Sequence, residues 1–336
     1  MPRITLRFLD RAAVEALAPA PNDLLDVIER GLAAHGSGQV VMPPKAHLHL
    51  DHLFRGHFNI LSGYAAPVGR AGVKVVGDYL DNWKRALPSE IALLTLYDPE
   101  TGVPCAIMDA TSLTWMRTGA VTAVGALHLA RPDSAIVAHI GARGTAFSNL
   151  RLLAARFPLT EVRITSARTE SRERLARRVR EELGLSTFAV GSAREAAANA
   201  DIVIEATRLA APQSLLGEAD LAAGALLVTY GWIRAIDPAL ALGVDKIVVD
   251  DWEQCRLGGQ LHELIADGRL TRQRVHAEIG AIVAGLVSGR TNPAERILFW
   301  HRGFAISDVM LGDWILRRAE REKVGTLLTL LDAADE

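Results

Sequence analysis

The 336-residue chain is short of several features that mark particular protein classes. It has only two cysteines, Cys105 and Cys255, far apart and in no CxxC pair, which excludes a disulfide scaffold and a cysteine-rich zinc motif and points to a reduced, cytoplasmic setting. No apolar run is long enough to span a bilayer, and Met1-Pro2-Arg3 leads straight into a strand-like ITLRFL, so no signal peptide is expected. An excess of one charge is also missing. Thirty-seven Lys and Arg face 39 Asp and Glu, for a formal net charge of -2, so no nucleic-acid or membrane partner is expected. Repeats and low-complexity segments are absent. What remains is a globular balance of 49% hydrophobic and 23% charged residues, long enough for two domains.

The middle of the chain alternates strands with helices. Strands are expected over 135–140, 162–166, 186–190, 201–206, 225–230 and 246–250, with helical patterns over 145–157, 171–183 and 192–199 between them. Such alternation predicts a parallel, doubly wound α/β sheet. Its first strand runs into Gly141-Ala142-Arg143-Gly144-Thr145 and then a helix, the strand–glycine-turn–helix unit in which helix N-terminal amides hold a pyrophosphate. The turn departs from GxGxxG, because Arg143 stands at the second glycine position and Ala146 at the third.

Residues 1–130 read as a mixed unit. A strand over 4–9 is followed by a helix capped by Asp10, then by a helix over 22–34 with Leu24, Leu25, Val27, Ile28 and Leu32 as its apolar stripe. Strands follow over 40–50 (broken by Pro43-Pro44), 54–61, 71–76, 91–97 and 104–109, the last two joined by the turn Asp98-Pro-Glu-Thr-Gly102. An Ala-rich helix covers 111–130, and the final part, 297–331, reads mostly as one helix from near Phe304. Lys74 lies between valines, so it is either solvated on an edge strand or an active-site lysine that holds a carboxylate or moves a proton. Arg117 is either a surface residue or a clamp for an anion. After the second strand of the parallel sheet the side chains are Arg168, Thr169, Ser171 and Arg172, where an NAD-specific site carries an acid; this favours NADP(H) over NAD(H), with Arg168 as its contact. His47, His49, His52 and His57 cluster, and His47 and His49 share a strand face, yet no set with ligand spacing follows, and no metal is assigned.

Assembled, these stretches resemble the ornithine cyclodeaminase/mu-crystallin family over nearly the whole chain. The resemblance rests on GVKVV (72–76), LPSEIALLTLYDPETGVPCAIMDA (87–110), RTGAVTA (117–123), IGARGTA (140–146), SART (166–169), EAT (205–207) and GFAISD (303–308). It implies a Rossmann doubly wound sheet inserted in a mixed α+β substrate and dimerisation domain: residues 131–302 within 1–130 plus 303–336. It implies NAD(P) as cofactor, imino or amino acids as substrates, and a homodimer. By motif, Lys74 is the lysine beside the substrate. Ser89 and Arg117 approach the cofactor, Gly141, Arg143, Gly144 and Thr145 lie at the pyrophosphate, Thr169 flanks Arg168, and Thr207 and Tyr230 line the dinucleotide. His301 and Arg302 form the pair before the last helix, with His301 on the cofactor and Arg302 on the substrate. The family's arginine after the proline near position 45 is replaced by Lys45, which keeps the charge but loses the bidentate fork. The family's cyclodeaminase aspartate is also missing, since Gly231-Trp232-Ile233-Arg234 holds no acid before Asp237.

The expected activity is an NAD(P)H-dependent imine or ketimine reductase or amino-acid dehydrogenase, with Lys74 catalytic and Lys45, Lys74 and Arg302 binding the substrate. The alternatives are an ornithine-cyclodeaminase-type ammonia lyase that recycles its nucleotide, and an NADP-holding binding protein without turnover.

Overall fold

The structure is a computed structural model that describes residues 3–332; positions 1–2 and 333–336 of the expected outer domain lie outside the described residues. The chain forms two compact units, Met1–Arg117 with Phe304–Glu336, and Thr118–Gly303. The first border falls 13 residues before the expected limit at 130/131, and the second falls one residue after that at 302/303. The first border falls inside the Thr111–Leu129 helix, because its second half packs in the parallel-sheet unit. A Cβ on Gly119 would come within 2.5 Å of Ser148 Oγ, and one on Gly125 within 2.4 Å of the Phe299 ring.

The first unit opens with β1 (Ile4–Leu9), ended by Asp10, whose carboxylate accepts from the Ala13 amide at 2.8 Å and caps the next helix. The Pro21–Gly36 helix buries Leu24, Leu25, Val27, Ile28 and Leu32, the stripe read from the sequence. Pro43-Pro44 separates β2 (Val40–Val41) from β3 (Ala46–His49), since proline lacks the ladder donor. The expected strand from residue 54 begins instead at Gly56. Asp51–Phe54 is a helical turn closed by Arg55 at φ 50°, and β4 (Gly56–Ala65) follows. It pairs residue for residue with β5 (Arg70–Tyr79), from Gly56 opposite Tyr79 to Ala65 opposite Arg70. β6 (Glu90–Tyr97) and β7 (Pro104–Asp109) flank the Asp98 turn, whose carboxylate accepts from the Glu100 amide at 2.8 Å.

Eight strands build the second unit: β8 (Ile136–Ile140), β9 (Glu161–Thr165), β10 (Ser186–Ala189), β11 (Ile202–Glu205), β12 (Leu226–Thr229), β13 (Lys246–Val249), β14 (Val275–Glu278) and β15 (Ile297–Trp300). All pairs are parallel, in the order β10-β9-β8-β11-β12-β15-β13-β14. β14 and β15 are additions to the sequence reading; β15 is the fully buried ILFW run. The order reverses direction between β8 and β11, where doubly wound sheets bind ligands at the carboxyl ends of their strands.

The chain then returns to the first unit through the Ala305–Glu322 helix. The expectation of helix to residue 331 is corrected here. Lys323 at φ 57° and Gly325 at φ 89° turn the chain, and β16 (Thr326–Leu331) pairs antiparallel with β1. The first unit's sheet thus has the order β16-β1-β7-β6-β5-β4-β2, with β3 also on β4. One face is covered by the Ala305–Glu322 helix, which the sequence lets come close. A Cβ on Gly72 would lie 2.9 Å from Val309, and one on Gly312 2.5 Å from Leu94. The other face stays open and apolar, with Val75, Ile91 and Leu93 between 38% and 53% exposed.

Candidate active site

Lys74 sits mid-strand in β5, opposite Leu61 of β4 and Leu94 of β6, so the solvated edge-strand reading is overturned. Alternation directs it to the helix-covered face, and it is 1% exposed. Its ammonium donates to Asp308 Oδ1 at 2.7 Å and to Thr114 Oγ1 at 3.1 Å. Arg117 Nε donates to the same Asp308 oxygen at 2.9 Å and is itself buried, which removes its surface reading. Burial lowers the Lys74 pKa to about 8, helped by the nearby Arg117 charge and opposed by Asp308. A lysine poised there exchanges a proton near neutral pH.

In the second unit, the glycine turn after β8 is built by its neighbours. Gly141 has φ 106°, and a Cβ there would lie 2.6 Å from the Ala206 carbonyl oxygen, so no other residue fits without strain. Gly144 adds φ 56°, while Arg143 is exposed. The Ala146–Ala154 helix begins after Thr145 with no side-chain cap. Thr145 Oγ1 instead bonds Tyr230 Oη at 2.6 Å, which also accepts from Asn149 Nδ2 at 2.7 Å. The Tyr230 ring lies 4.7 Å from the His301 ring, and His301 Nε2 bonds Thr122 Oγ1 at 3.1 Å. A positive-φ glycine turn, an uncapped helix start and hydroxyls at the switch point suit a dinucleotide's phosphates and sugars.

Two buried groups that the sequence reading missed hold this end of the sheet together. His139 Nδ1 meets the Gly141 carbonyl at 2.7 Å and Nε2 meets Asn149 at 3.0 Å; burial lowers its pKa to about 4, so it stays neutral and its Nδ1–H donates. Glu205 accepts from the Thr207 amide at 2.8 Å, Thr229 Oγ1 at 2.8 Å, the Thr207 hydroxyl and Gln260 Nε2. Burial raises its pKa. The available signal was a polar residue inside each apolar strand.

Asp250 serves the loop after β15. Its Oδ2 accepts from the Arg302 amide at 2.6 Å and the Gly303 amide at 3.1 Å, and burial lifts its pKa to about 6. The Arg302 guanidinium donates to the Gln254 carbonyl and lies 5.0 Å from the Trp232 ring. Arg168 is exposed at the start of the Thr169–Leu183 helix, whereas Arg172 is tied to the Ser166 carbonyl at 3.1 Å. Lys45 and Ser89 are half-buried at the starts of β3 and β6. The His47 and His49 rings stack at 5.5 Å, and His49 Nδ1 meets Asp51 at 3.3 Å.

The sequence model of the ornithine cyclodeaminase/mu-crystallin family matches residues 6–323. The chain belongs to this family. It is 29% identical to an alanine dehydrogenase of Archaeoglobus fulgidus over 333 residues, 95% of this chain and 96% of the relative. A Thermococcus litoralis Δ1-pyrroline-2-carboxylate reductase, solved with NADH and L-proline, superposes with a TM-score of 0.90 at 29% identity, over 96% of this chain and 99% of that one. An archaeal alanine dehydrogenase dimer with bound NAD gives 0.90 at 28%, over 98% and 100%.

Asp237 is the first acid after Gly231. It caps the Pro238–Gly243 helix, accepting from the Ala239 amide at 2.8 Å. Trp232, 40% exposed, stands where the acid is absent.

Proposed function

We propose that this family member is an NAD(P)H-dependent oxidoreductase acting on C=N or CH–NH bonds, reducing a 2-imino acid to the amino acid or running the reverse. The observation that carries this reading is Lys74: a buried lysine with a pKa near 8, held between Asp308 and Thr114. A bound nicotinamide would supply or take the hydride. Lys74 gives a proton to the substrate nitrogen in reduction and takes it back in oxidation. Lys45, in the same unit as Lys74, would add positive charge for the acid group, and Arg302 is the second unit's candidate for that role.

Within the second unit, Gly141, Gly144 and Thr145 would hold the pyrophosphate, with Arg143 beside it, and Thr207, Tyr230 and His301 would approach the rest of the dinucleotide; Ser89 and Arg117 are the first unit's own candidate contacts. Exposed Arg168 with Thr169, and no acid at the end of β9, favours a 2′-phosphate and hence NADP(H). The open apolar face around Val75, Ile91 and Leu93 is the surface through which two copies pair, in a cytoplasmic homodimer.

The test is initial-rate assay of NADPH and NADH oxidation with Δ1-pyrroline-2-carboxylate and with pyruvate plus ammonium. Turnover with either carbon substrate supports the assignment. Tight NADPH binding with no turnover across such imino acids would leave a binding protein in its place.

A further inference from the structure

The arrangement around Lys74 uses one carboxylate oxygen twice. Asp308 Oδ1 accepts from Lys74 at 2.7 Å and from Arg117 at 2.9 Å, while buried Oδ2 accepts no hydrogen bond from the described residues. Thr114 completes the arrangement. Its hydroxyl proton goes to the Ala110 carbonyl at 2.6 Å, so its oxygen is turned to accept from Lys74. An ammonium has three N–H donors. Two are fixed by acceptors on two different helices, which sets the direction of the third. The charged groups acting on the ammonium are Arg117 from the Thr111–Leu129 helix, Asp308 from the Ala305–Glu322 helix and Glu90 from β6; β4 opposes it with apolar Leu61. Arg117 disfavours the ammonium, and Asp308 and Glu90 favour it.

We infer that Asp308 is the positioning residue of this site: it keeps Lys74 protonated against Arg117 and, with Thr114, aims the remaining N–H at the substrate nitrogen. The inference rests on the reading of Lys74 as the proton carrier. Reduction of C=N adds a hydride from the reduced nucleotide to carbon and a proton to nitrogen. Lys74 gives that proton, is left as a neutral amine and regains a proton from water. Asp308 neither gains nor loses a proton in the cycle; its fixed negative charge decides how readily Lys74 recharges. Arg117, a permanent cation on the same oxygen, limits that hold and leaves the lysine able to let its proton go.

The experiment reads Lys74 directly. The chain has five lysines, so protein labelled with 13C at lysine Cε gives few signals, and Lys74→Arg assigns the one that matters. Its chemical shift is titrated in wild type, Asp308→Asn and Arg117→Gln. The expected result is a Lys74 midpoint lower in Asp308→Asn and higher in Arg117→Gln, each by about one pH unit or more. Opposite movement in the two variants is something loss of structure alone does not produce. Where Asp308→Asn does not fold, Arg117→Gln and Asp308→Glu carry the test, the latter expected to retain a midpoint close to wild type. In active variants, the alkaline limb of kcat/KM for imine reduction follows the same displacement. A Lys74 midpoint unmoved in every folded variant overturns the inference. A midpoint that moves as described in a protein with no turnover upholds the hold of Asp308 on the Lys74 charge and overturns the proton-carrier reading on which its aim at a substrate rests.

Discussion

Lys74 and Asp308 meet at 2.7 Å with each side chain 1% exposed, and Arg117 shares the same carboxylate oxygen. Two cations on one buried anion are not symmetric under mutation. Removing Lys74 leaves Asp308 with Arg117, a neutral pair. Removing Asp308 leaves two buried cations without their common anion. Asp308→Ala is therefore expected to cost roughly 3–5 kcal/mol of stability, and Lys74→Met distinctly less. Urea denaturation of the two variants checks the order. Equal losses would contradict the shared-anion arrangement.

Lys74→Ala is expected to lower kcat/KM by on the order of a hundredfold or more, since a positioned proton donor contributes about that much. Nucleotide affinity should not change. Initial rates and a fluorescence titration with NADPH separate the two effects. Unchanged turnover would remove Lys74 from the chemistry.

Arg168→Ala is expected to weaken NADPH binding far more than NADH binding, because a guanidinium on a 2′-phosphate has no counterpart in NADH. Calorimetric titration with both nucleotides measures this. Equal losses would refute the contact.

Gly141→Ala should be costly twice over. The φ of 106° excludes a side chain, and the new methyl would meet the Ala206 carbonyl at 2.6 Å. An expected loss of about 1–3 kcal/mol in stability, with weakened nucleotide binding, follows from the strain. Thermal unfolding with and without NADPH reads both. A variant that melts and binds like wild type would mean that the turn is not built as described.

His139 makes stability depend on pH. Its folded pKa of about 4 lies below the ordinary 6.5, so between these values the unfolded chain binds a proton that the folded one does not. Stability from this group is full above pH 6.5 and is lost as pH falls towards 4. At pH 5 the loss is about 2 kcal/mol relative to pH 7. Asp250, raised to about 6 from 3.8, acts the other way over an overlapping range, so the wild-type curve is a sum. His139→Gln should lose less stability between pH 7 and pH 5 than wild type does, by urea midpoints. An identical pH dependence would show that His139 is not buried neutral.

Much of this was legible in the sequence. Strand–helix alternation over 135–250 and the glycine turn gave the parallel sheet, and the apolar stripe at Leu24 to Leu32 gave a buried helix face. Lys74 stood out because a lysine between valines demands a partner. Its partner, Asp308, did not stand out, since 234 residues separate the two and local pattern cannot report a pairing made by folding. His139 and Glu205 were hidden for a related reason: each occupies one position in a run whose other residues suffice to define a buried strand. The strand Thr326–Leu331 was lost to a helical reading because TLLTLL repeats every three residues, closer to a helical period than to the alternation of a strand, and the break depends on backbone at Lys323 and Gly325.

The central claim is net reduction of a carbon–nitrogen double bond, and its most direct measurement is stoichiometry. Δ1-pyrroline-2-carboxylate is supplied with NADPH, and the loss of reduced-nicotinamide absorbance is compared with the proline formed. One nucleotide consumed for each proline formed is the predicted result. Ammonia release from ornithine, with no net change in nucleotide and no consumption with the imine, would contradict it.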